Sequence, residues 1–111
     1  MRDFITVAKA VADPTRVRIL KMLESGELCV CEITERLGLA QSTVSKHLSL
    51  LRHAALVEGR KQGLWVYCRL AEDADDGNSM AFLRLVRGSL NDDPVVMGDK
   101  TAPRPCCDFK D

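Results

Sequence analysis

Two pairs of cysteines are the residues of this sequence that are best suited to chemistry. Cys29 and Cys31 are separated by one residue, and Cys106 and Cys107 are adjacent near the end of the chain. Closely spaced thiols are typical ligands of soft, thiophilic ions, whereas hard cations prefer oxygen ligands. The fifth cysteine, Cys68, lies in a stretch of alternating apolar residues, and we expect it to be a buried core residue.

The number of cysteines and the length of the chain indicate the number of domains and the cellular compartment in which this chemistry takes place. An odd number of cysteines, five in 111 residues, does not indicate a disulfide framework. We find no signal peptide and no run that approaches the roughly 18 apolar residues of a membrane helix. We therefore expect one domain in the cytoplasm, with reduced thiols and no membrane association.

The formal net charge of zero conceals an uneven distribution of charge. Residues 41–69 contain five basic side chains and one acidic side chain, whereas residues 70–111 contain five basic and nine acidic ones. Because the neutralisation of phosphate depends on local charge, the middle segment is a candidate DNA surface even though the whole chain is neutral.

Two short helices joined by a tight turn are predicted at and after the first cysteine pair. The first runs from about residue 29 or 30 to residue 37 and ends at Gly38, and the second covers residues 41–53. Apolar residues in the second helix recur at i, i+4 and i+7 and leave a polar, basic face. This is the helix-turn-helix pattern, in which the second helix enters a DNA groove. The predicted DNA contacts, which include the basic tip of the following hairpin, are Gln41, Ser42, Thr43, Ser45, Lys46, His47, Arg60 and Lys61.

Two helices are predicted before this motif. The first covers residues 4–12 and is apolar on both sides. The second begins at Asp13-Pro14, because aspartate caps a helix N-terminus and proline is tolerated at the first helical position. It ends near Ser25-Gly26, and Arg16 and Arg18 beside its apolar stripe are expected to be solvated.

A hairpin and a last helix are predicted after the motif. Strands 56–60 and 64–70 enclose a turn at 61–63, and the apolar side of the second strand is formed by Leu64, Val66, Cys68 and Leu70. The last helix covers about residues 78–91, with core positions Met80, Leu83, Val86 and Leu90. Its spare apolar residues, Phe82 and Leu85, indicate a helix that is shared with a partner subunit.

These elements predict two parts of the chain. Residues 1–91 form a mainly α domain with one β-hairpin, in the order of four helices, two strands and a last helix, which is a winged helix-turn-helix for DNA binding and dimerisation. From Asp92 onward, prolines and a glycine interrupt any helical period. We interpret residues 92–111 as a flexible C-terminal tail that carries the vicinal Cys106–Cys107 pair.

Five segments occur in an order that is typical of one protein family. They are ADPTR at 12–16, ELCVCEI at 27–33, QSTVSKHL at 41–48, LRHAALV at 51–57 and GLWVY at 63–67. Together they resemble the ArsR/SmtB family of winged-helix metalloregulatory repressors. The Cys-Val-Cys segment is most similar to the arsenic-responsive branch of that family, and the resemblance covers about residues 4–70.

The resemblance implies a function. Members of this family are homodimers that bind a palindromic operator and release it when a metalloid binds. For this chain it implies a homodimer built from the first and last helices, operator double-stranded DNA as a partner, and arsenite or antimonite as the inducer at cysteine thiolates, with no permanently bound cofactor. Ala55 departs from the family pattern, which usually has glycine there. A left-handed alanine at that position would cost about 1 kcal/mol.

The spacing of Cys29 and Cys31 predicts a conflict with helix geometry. At about 100° per residue, their side chains point to nearly opposite sides of a regular helix and cannot bind one ion. Binding must therefore distort the first helical turn, or that turn is not regular to begin with. Unwinding would tilt the following helix away from DNA, and a coupling of about a few kcal/mol is enough for a useful response.

The third ligand is left open by the sequence. Arsenic(III) and antimony(III) prefer about three thiolates. The family pattern can place a further cysteine at the position of Thr34, and this chain has none there. Either two thiolates suffice together with a small third ligand, or Cys106 or Cys107 contributes the third sulfur.

Two other functions use a thiol pair of this kind. The cadmium- and lead-responsive branch of the family adds cysteines from the N-terminal arm, and residues 1–28 contain none. A thiol redox switch is the alternative from another class. We expect His47 and His53 to face DNA or pack within the protein rather than bind metal. No Ser/His/Asp or paired-carboxylate arrangement is left over by the fold, so we expect no enzymatic activity.

Overall fold

The computed structural model describes residues 2–72 and 77–101. Its order of elements confirms the predicted mainly helical, winged helix-turn-helix fold. The elements are α1 (Arg2–Val11), α2 (Pro14–Met22), a 3₁₀ turn (Leu23–Ser25), β1 (Leu28–Cys29), α3 (Val30–Leu37), α4 (Gln41–His53), β2 (Val57–Gln62), β3 (Trp65–Leu70), α5 (Gly77–Arg87) and α6 (Pro94–Thr101).

Local capping signals set most of the helix boundaries. Asp13 Oδ2 accepts a hydrogen bond from the Arg16 amide at 3.1 Å, which caps α2 as predicted. Gly38 ends α3 with a left-handed φ of 69°, a conformation in which glycine has no Cβ clash. Helix α5 ends four residues before the predicted boundary, at Arg87. Leu90 therefore lies beyond the helix and is 47% exposed, so its prediction as a core residue is wrong.

The wing is a three-stranded antiparallel sheet in the order β1-β3-β2, rather than the predicted two-stranded hairpin. The additional strand β1 is only two residues long. It pairs with β3, with Leu28 opposite Cys68 and Cys29 opposite Tyr67. The first cysteine of the Cys-Val-Cys segment is thus held by the wing sheet as well as by the helix that follows it.

The turn of the wing lies later in the chain than predicted. Strand β2 continues to Gln62, and Gly63 makes the turn with a φ of 62°. Leu64 stands at the tip with 98% of its side chain exposed. The prediction that Leu64 belongs to the apolar side of the strand is therefore wrong, whereas Cys68 on that side is buried as expected.

Helices α1, α2, α3, α4 and α5 and the sheet share one hydrophobic core. This core includes Ile19, Leu20, Ile33, Val44, Leu51 and Leu56. Lys21 is buried beside it with no exposed surface. Its Nζ donates hydrogen bonds to the carbonyl of Val86 at 3.0 Å and to Asn91 Oδ1 at 2.8 Å, and it pairs with Glu24 at 2.9 Å. Because a buried ammonium is costly unless it is fully paired, these contacts fix the end of α5 to α2.

Helix α6 corrects the prediction of a flexible tail for residues 94–101. Pro94 is its first residue, where proline needs no backbone donor, and Asp93 Oδ1 accepts the Val96 amide at 3.3 Å. The same proline that interrupts a helical period can therefore begin a helix. Residues 102–111, with Cys106 and Cys107, lie outside the described residues.

Helix α6 packs on α2 through a charged contact. Arg18 donates from Nε and an Nη to the two carboxylate oxygens of Asp99, each at 2.9 Å. This bidentate hydrogen bond raises the pKa of Arg18. The prediction that Arg18 is solvated is therefore wrong, because α6 supplies its partner from a segment predicted to be a flexible tail.

Candidate thiol site and nucleic-acid interface

Cys29 and Cys31 lie on different kinds of backbone. Cys29 precedes α3 with extended angles, φ −80° and ψ 157°, whereas Cys31 is in the first helical turn. The extended residue turns the first side chain back toward the second, and the two sulfurs are joined in a disulfide. The expected geometric conflict therefore does not arise. The two sulfurs meet while α3 remains regular, because only one of the cysteines belongs to the helix.

The start of α3 is held tightly around this pair. The Cys29 amide donates to Glu32 Oε1 at 2.9 Å, and both residues are wholly buried. Cys31 is half-buried.

A cavity of about 350 Å³ adjoins the thiol pair, between the start of α3, helix α4 and strand β3. Its lining includes the polar side chains of Gln41, Ser45, Ser49 and Arg52 on α4 as well as Val30, Cys31, Leu48, Trp65, Val66 and Cys68. Burial raises the pKa of the Cys68 thiol, which keeps this third sulfur protonated at neutral pH. Cys31 and the helix predicted to read DNA thus border the same cavity.

A third ligand next to the pair is not provided by the part of the chain that the structure describes. Within residues 2–72 and 77–101, no three His, Cys, Asp or Glu side chains are grouped so that they could hold a metal ion. Thr34, where the family pattern can have a cysteine, donates its hydroxyl to the Val30 carbonyl at 2.8 Å. Cys106 and Cys107 lie outside the described residues, so their predicted participation stays a prediction.

Helix α4 presents the predicted polar face to solvent. Its first turns expose Gln41, Ser42, Thr43, Ser45 and Lys46. His47 is half-buried and shares a 3.2 Å hydrogen bond with Arg16. Arg16 also donates from Nε to the Ala10 carbonyl at 2.7 Å, so the prediction that it is solvated is wrong. His47 thus combines a packing contact with a position at the edge of the polar face.

The wing carries less free positive charge than the sequence suggests. Arg60 binds both carboxylate oxygens of Glu27, with each contact between 2.7 and 2.9 Å, and lies 4.7 Å from the centroid of the Tyr67 ring. The hydrogen bond from Arg60 lowers the pKa of Glu27. Arg69 pairs with Glu58 at 2.9 Å on the same sheet. Of the two basic residues predicted at the wing, Lys61 is exposed and Arg60 is already engaged.

Sequence reasoning did not identify Glu27 as part of this surface. Glu27 is 33 residues from Arg60 in the chain and precedes the cysteine segment, so no local pattern connects the two. Strand β1 is the feature that could have revealed the position of Glu27. Once Leu28 and Cys29 are paired with β3, the preceding residue must lie beside the wing.

Apolar side chains of α1 and α5 remain exposed in the single chain. Phe4 is 49% exposed and contacts the Phe82 ring at a centroid distance of 5.6 Å, and Leu85 is 64% exposed. Ile5 is 42% exposed on the same helix as Phe4. These two helices are the pair predicted to form a dimer.

Within the described residues, no helix is both long and apolar enough to cross a membrane.

Known sequences share this combination of elements. The pattern of the family "Bacterial regulatory protein, arsR family" matches residues 13–58. The chain is similar to an arsenic resistance transcriptional regulator of Pseudomonas putida, 47% identical over 74 residues, which are 63% of this chain and 58% of that relative. An uncharacterised HTH-type transcriptional regulator of Methanocaldococcus jannaschii is 44% identical over 68 residues, which are 60% of this chain and 76% of that protein. The chain thus spans little more than half of the P. putida relative.

A solved structure shows the same architecture. It is the homodimeric winged helix-turn-helix DNA-binding domain of a possible regulator from Mycobacterium bovis, with a TM-score of 0.66 and 31% identity over 78% of this chain and 76% of that one. The relatives are named as transcriptional regulators, which confirms the expectation that this is not an enzyme.

Proposed function

The chain belongs to the arsR family of bacterial regulatory proteins, and on that premise we propose that it is a metalloid-responsive transcriptional repressor. It binds operator DNA in the cytoplasm as a homodimer through the exposed face of α4 and the wing. Trivalent arsenic or antimony releases it by binding the thiolates of Cys29 and Cys31. The observation that carries the proposal is the convergence of these two sulfurs at the junction of α3 and the wing sheet.

The proposed coupling begins at Cys29, which belongs to two elements at once. Its backbone pairs with Tyr67 in the wing, and its amide is held by Glu32 in α3. A metalloid bound to both sulfurs fixes the distance between them and therefore strains both the wing and α3. The positions of α4 and the wing then change together, without the unwinding of α3 that the sequence suggested. Such a change needs a difference of only about 1–3 kcal/mol between the two states.

A mobility-shift titration tests this proposal. The reduced protein is bound to the DNA upstream of its own gene, and arsenite is added. We expect arsenite to release the wild type, and the Cys29→Ser/Cys31→Ser variant to stay bound. Cys68→Ala is the matched control, because it removes a buried thiol of the same core and should release normally. Normal release of the double variant would falsify the assignment. Release by cadmium or lead but not by arsenite would support the other branch of the family.

The tail cysteines are our candidates for the third sulfur of bound arsenite. Helix α6 ends at Thr101, and the Nζ of the preceding Lys100 lies 2.9 Å from Glu24, five residues before Cys29. Five residues of extended chain span at most about 17 Å, which defines the reach from Thr101 to Cys106. X-ray absorption at the arsenic edge counts the sulfur neighbours. We expect three in the wild type and two in Cys106→Ser/Cys107→Ser. Two in both proteins would exclude the tail.

A thiol redox switch is the second candidate function, and the Cys29–Cys31 disulfide is the observation that favours it. A peroxide would oxidise the pair: the two thiols lose two protons and two electrons, an S–S bond forms, and hydrogen peroxide is reduced to two waters. The same sulfurs are then blocked for metalloid. We expect peroxide-treated Cys106→Ser/Cys107→Ser protein to keep its operator in arsenite until a thiol-free phosphine reductant is added, which reduces the disulfide without binding the arsenite. Release without the reductant would contradict this.

A further inference from the structure

Arg16 connects three helices through its guanidinium group. It lies in the first turn of α2, and it donates from Nε to the Ala10 carbonyl at 2.7 Å and from Nη2 to the Lys9 carbonyl at 3.0 Å, both at the end of α1. Its Nη1 lies 3.2 Å from Nδ1 of His47 in α4. Because two of these partners are backbone carbonyls, α1 holds the guanidinium in place, and the guanidinium in turn holds the His47 ring.

This contact selects one form of the imidazole. An arginine side chain has hydrogen-bond donors and no acceptor, and it keeps its charge in proteins. Nδ1 of His47 is therefore the acceptor and carries no proton. A neutral imidazole with a bare Nδ1 carries its proton on Nε2. The contact with Arg16 thus favours the neutral Nε2–H form of His47.

His47 belongs to the helix that is predicted to enter the DNA groove. It is half-buried and directly follows Ser45 and Lys46, which are both exposed on the polar face of α4. In a helix-turn-helix, residues in the first turns of this helix contact the DNA. A neutral N–H group there can donate to an acceptor on the DNA. Unlike a lysine, it contributes to affinity without releasing a counterion.

We propose that Arg16 is a positioning residue for DNA binding, which holds His47 in the neutral Nε2–H form so that Nε2 donates a hydrogen bond to the operator. This inference rests on the proposed repressor function and gives α2 a part in it. The acceptor is a phosphate oxygen or the N7 atom of a purine edge. Protonation of His47 places a second N–H group opposite the donors of Arg16, so the contact is lost when the ring becomes charged.

The surroundings of His47 come from three helices. The charged and titratable groups are Asp13 at the start of α2, Arg16 in α2, Lys9 of α1, and Lys46 and His53 of α4. Asp13 Oδ2 accepts the Arg16 amide at 3.1 Å and is thus already engaged. Charging the His47 ring therefore adds a cation next to Arg16.

Nitrogen NMR of the imidazole measures the tautomer directly. The chain has two histidines, and His53 is exposed, so His53→Gln leaves the signals of His47 alone without disturbing the core. At neutral pH we expect Nε2 to carry the proton and Nδ1 to carry none. Arg16→Met, which keeps the length of the side chain and removes its donors, should let the second tautomer appear. A proton on Nδ1 while Arg16 is present would overturn the inference.

Two amides that imitate different ends of the imidazole test the contact with DNA. The amide of glutamine reaches the position of Nε2, whereas that of asparagine ends near Nδ1. We expect His47→Asn to bind the operator about three- to tenfold more weakly than the wild type, the effect of one hydrogen bond. His47→Gln should recover most of that loss. Wild-type binding by His47→Asn would refute the contact.

The salt dependence of binding distinguishes a neutral donor from a cation. The slope of log K against log salt should be unchanged in His47→Asn, because the lost contact carries no charge. Lys46→Ala is the control on the adjacent residue, and it should make the slope less steep by about 0.9 per protomer. A similar change of slope in His47→Asn would mean that His47 binds as a cation, which contradicts the proposal.

Operator binding as a function of pH tests the role of Arg16 itself. Between about pH 8 and pH 6, where histidines titrate, the wild type should lose affinity relative to His47→Gln, which cannot titrate at this position. In Arg16→Met the sign should reverse, because a charged His47 then meets phosphate without an opposing arginine. A purely structural role of Arg16 would lower affinity equally at both pH values. The same sign in both proteins would overturn the inference, and urea unfolding checks that Arg16→Met is folded.

DNA of unrelated sequence identifies the acceptor. An equal loss in His47→Asn on operator and unrelated DNA assigns a phosphate oxygen, and a loss confined to the operator assigns a purine edge. If the wild type binds the operator and is released by arsenite while His47→Asn binds equally well, this inference fails and the repressor function stands. If the wild type does not bind the operator, both are overturned.

Discussion

Replacing Ala55 with glycine should stabilise this protein. Ala55 follows the end of α4 and has a φ of 62°, in the left-handed region that L-residues avoid. The turn is fixed on both sides, because the Ala55 amide bonds to the Arg52 carbonyl and the Leu56 amide bonds to the Leu51 carbonyl, each at 3.0 Å. The alanine cannot relax without breaking these bonds, so the strain is permanent.

The magnitude follows from two opposing effects. A left-handed alanine costs about 1–2 kcal/mol, and glycine removes that cost. Glycine in turn loses about 0.5–1 kcal/mol through the greater freedom of its unfolded chain. The net gain is about 0.5–1 kcal/mol, which corresponds to a rise in Tm of about 2–5 °C for a domain of this size.

Thermal denaturation at one fixed protein concentration measures this effect, since the Tm of a dimer depends on concentration. Ala54→Gly is the matched control. Ala54 has a φ of −83° and is 4% exposed, so glycine there relieves no strain and loses a buried methyl group. We expect Ala55→Gly to raise the Tm and Ala54→Gly to lower it. Equal decreases in both variants would refute the reasoning.

Three further variants test the ion pairs and the cap. Glu27→Gln should free Arg60 for phosphate and steepen the salt dependence of operator binding, adding about 0.9 per protomer to the slope of log K against log salt. Because Arg60 lowers the pKa of Glu27, the ion pair stabilises the fold at pH values above the ordinary pKa range of glutamate. This stabilisation is lost as the pH falls below that range. Glu27→Gln should therefore abolish this part of the acid sensitivity when unfolding is measured as a function of pH. Glu32→Ala should lower the free energy of unfolding in urea by about 1–2 kcal/mol, because it leaves a buried amide unpaired at the start of α3. Asp99→Asn should speed hydrogen exchange in α6 by roughly tenfold, because it weakens the contact with Arg18.

For each of these variants, one result would contradict the reasoning. An unchanged salt slope in Glu27→Gln would mean that Arg60 does not reach phosphate. Wild-type stability in Glu32→Ala would mean that the amide finds another partner. Exchange in α6 that stays slow in Asp99→Asn would mean that the helix is held by apolar packing of Val96 instead. Asp92→Asn, an exposed change beside the same helix, is the control for the last of these.

The sequence pattern itself indicates that the apolar side chains of α1 and α5 belong to a shared interface, because a short chain cannot bury them alone.

The basic character of residues 41–69 is also evident in the sequence, but it overstates the free charge. Two of the five basic residues in that segment are paired with carboxylates, Arg60 with Glu27 and Arg69 with Glu58. Charge counting does not detect such pairs when one partner lies in a distant segment.

The sequence alone determined the features that depend on neighbouring residues. The Asp13 cap, the left-handed Gly38 and the apolar period of α4 are local, because a helix end or face is set within a few positions. The tertiary structure decided what depends on distant residues, such as the pairing of Arg18 with Asp99 across 81 positions. It also decided the thiol site. A two-residue strand held by β3 keeps Cys29 extended, and that backbone brings its sulfur to Cys31 without disturbing α3.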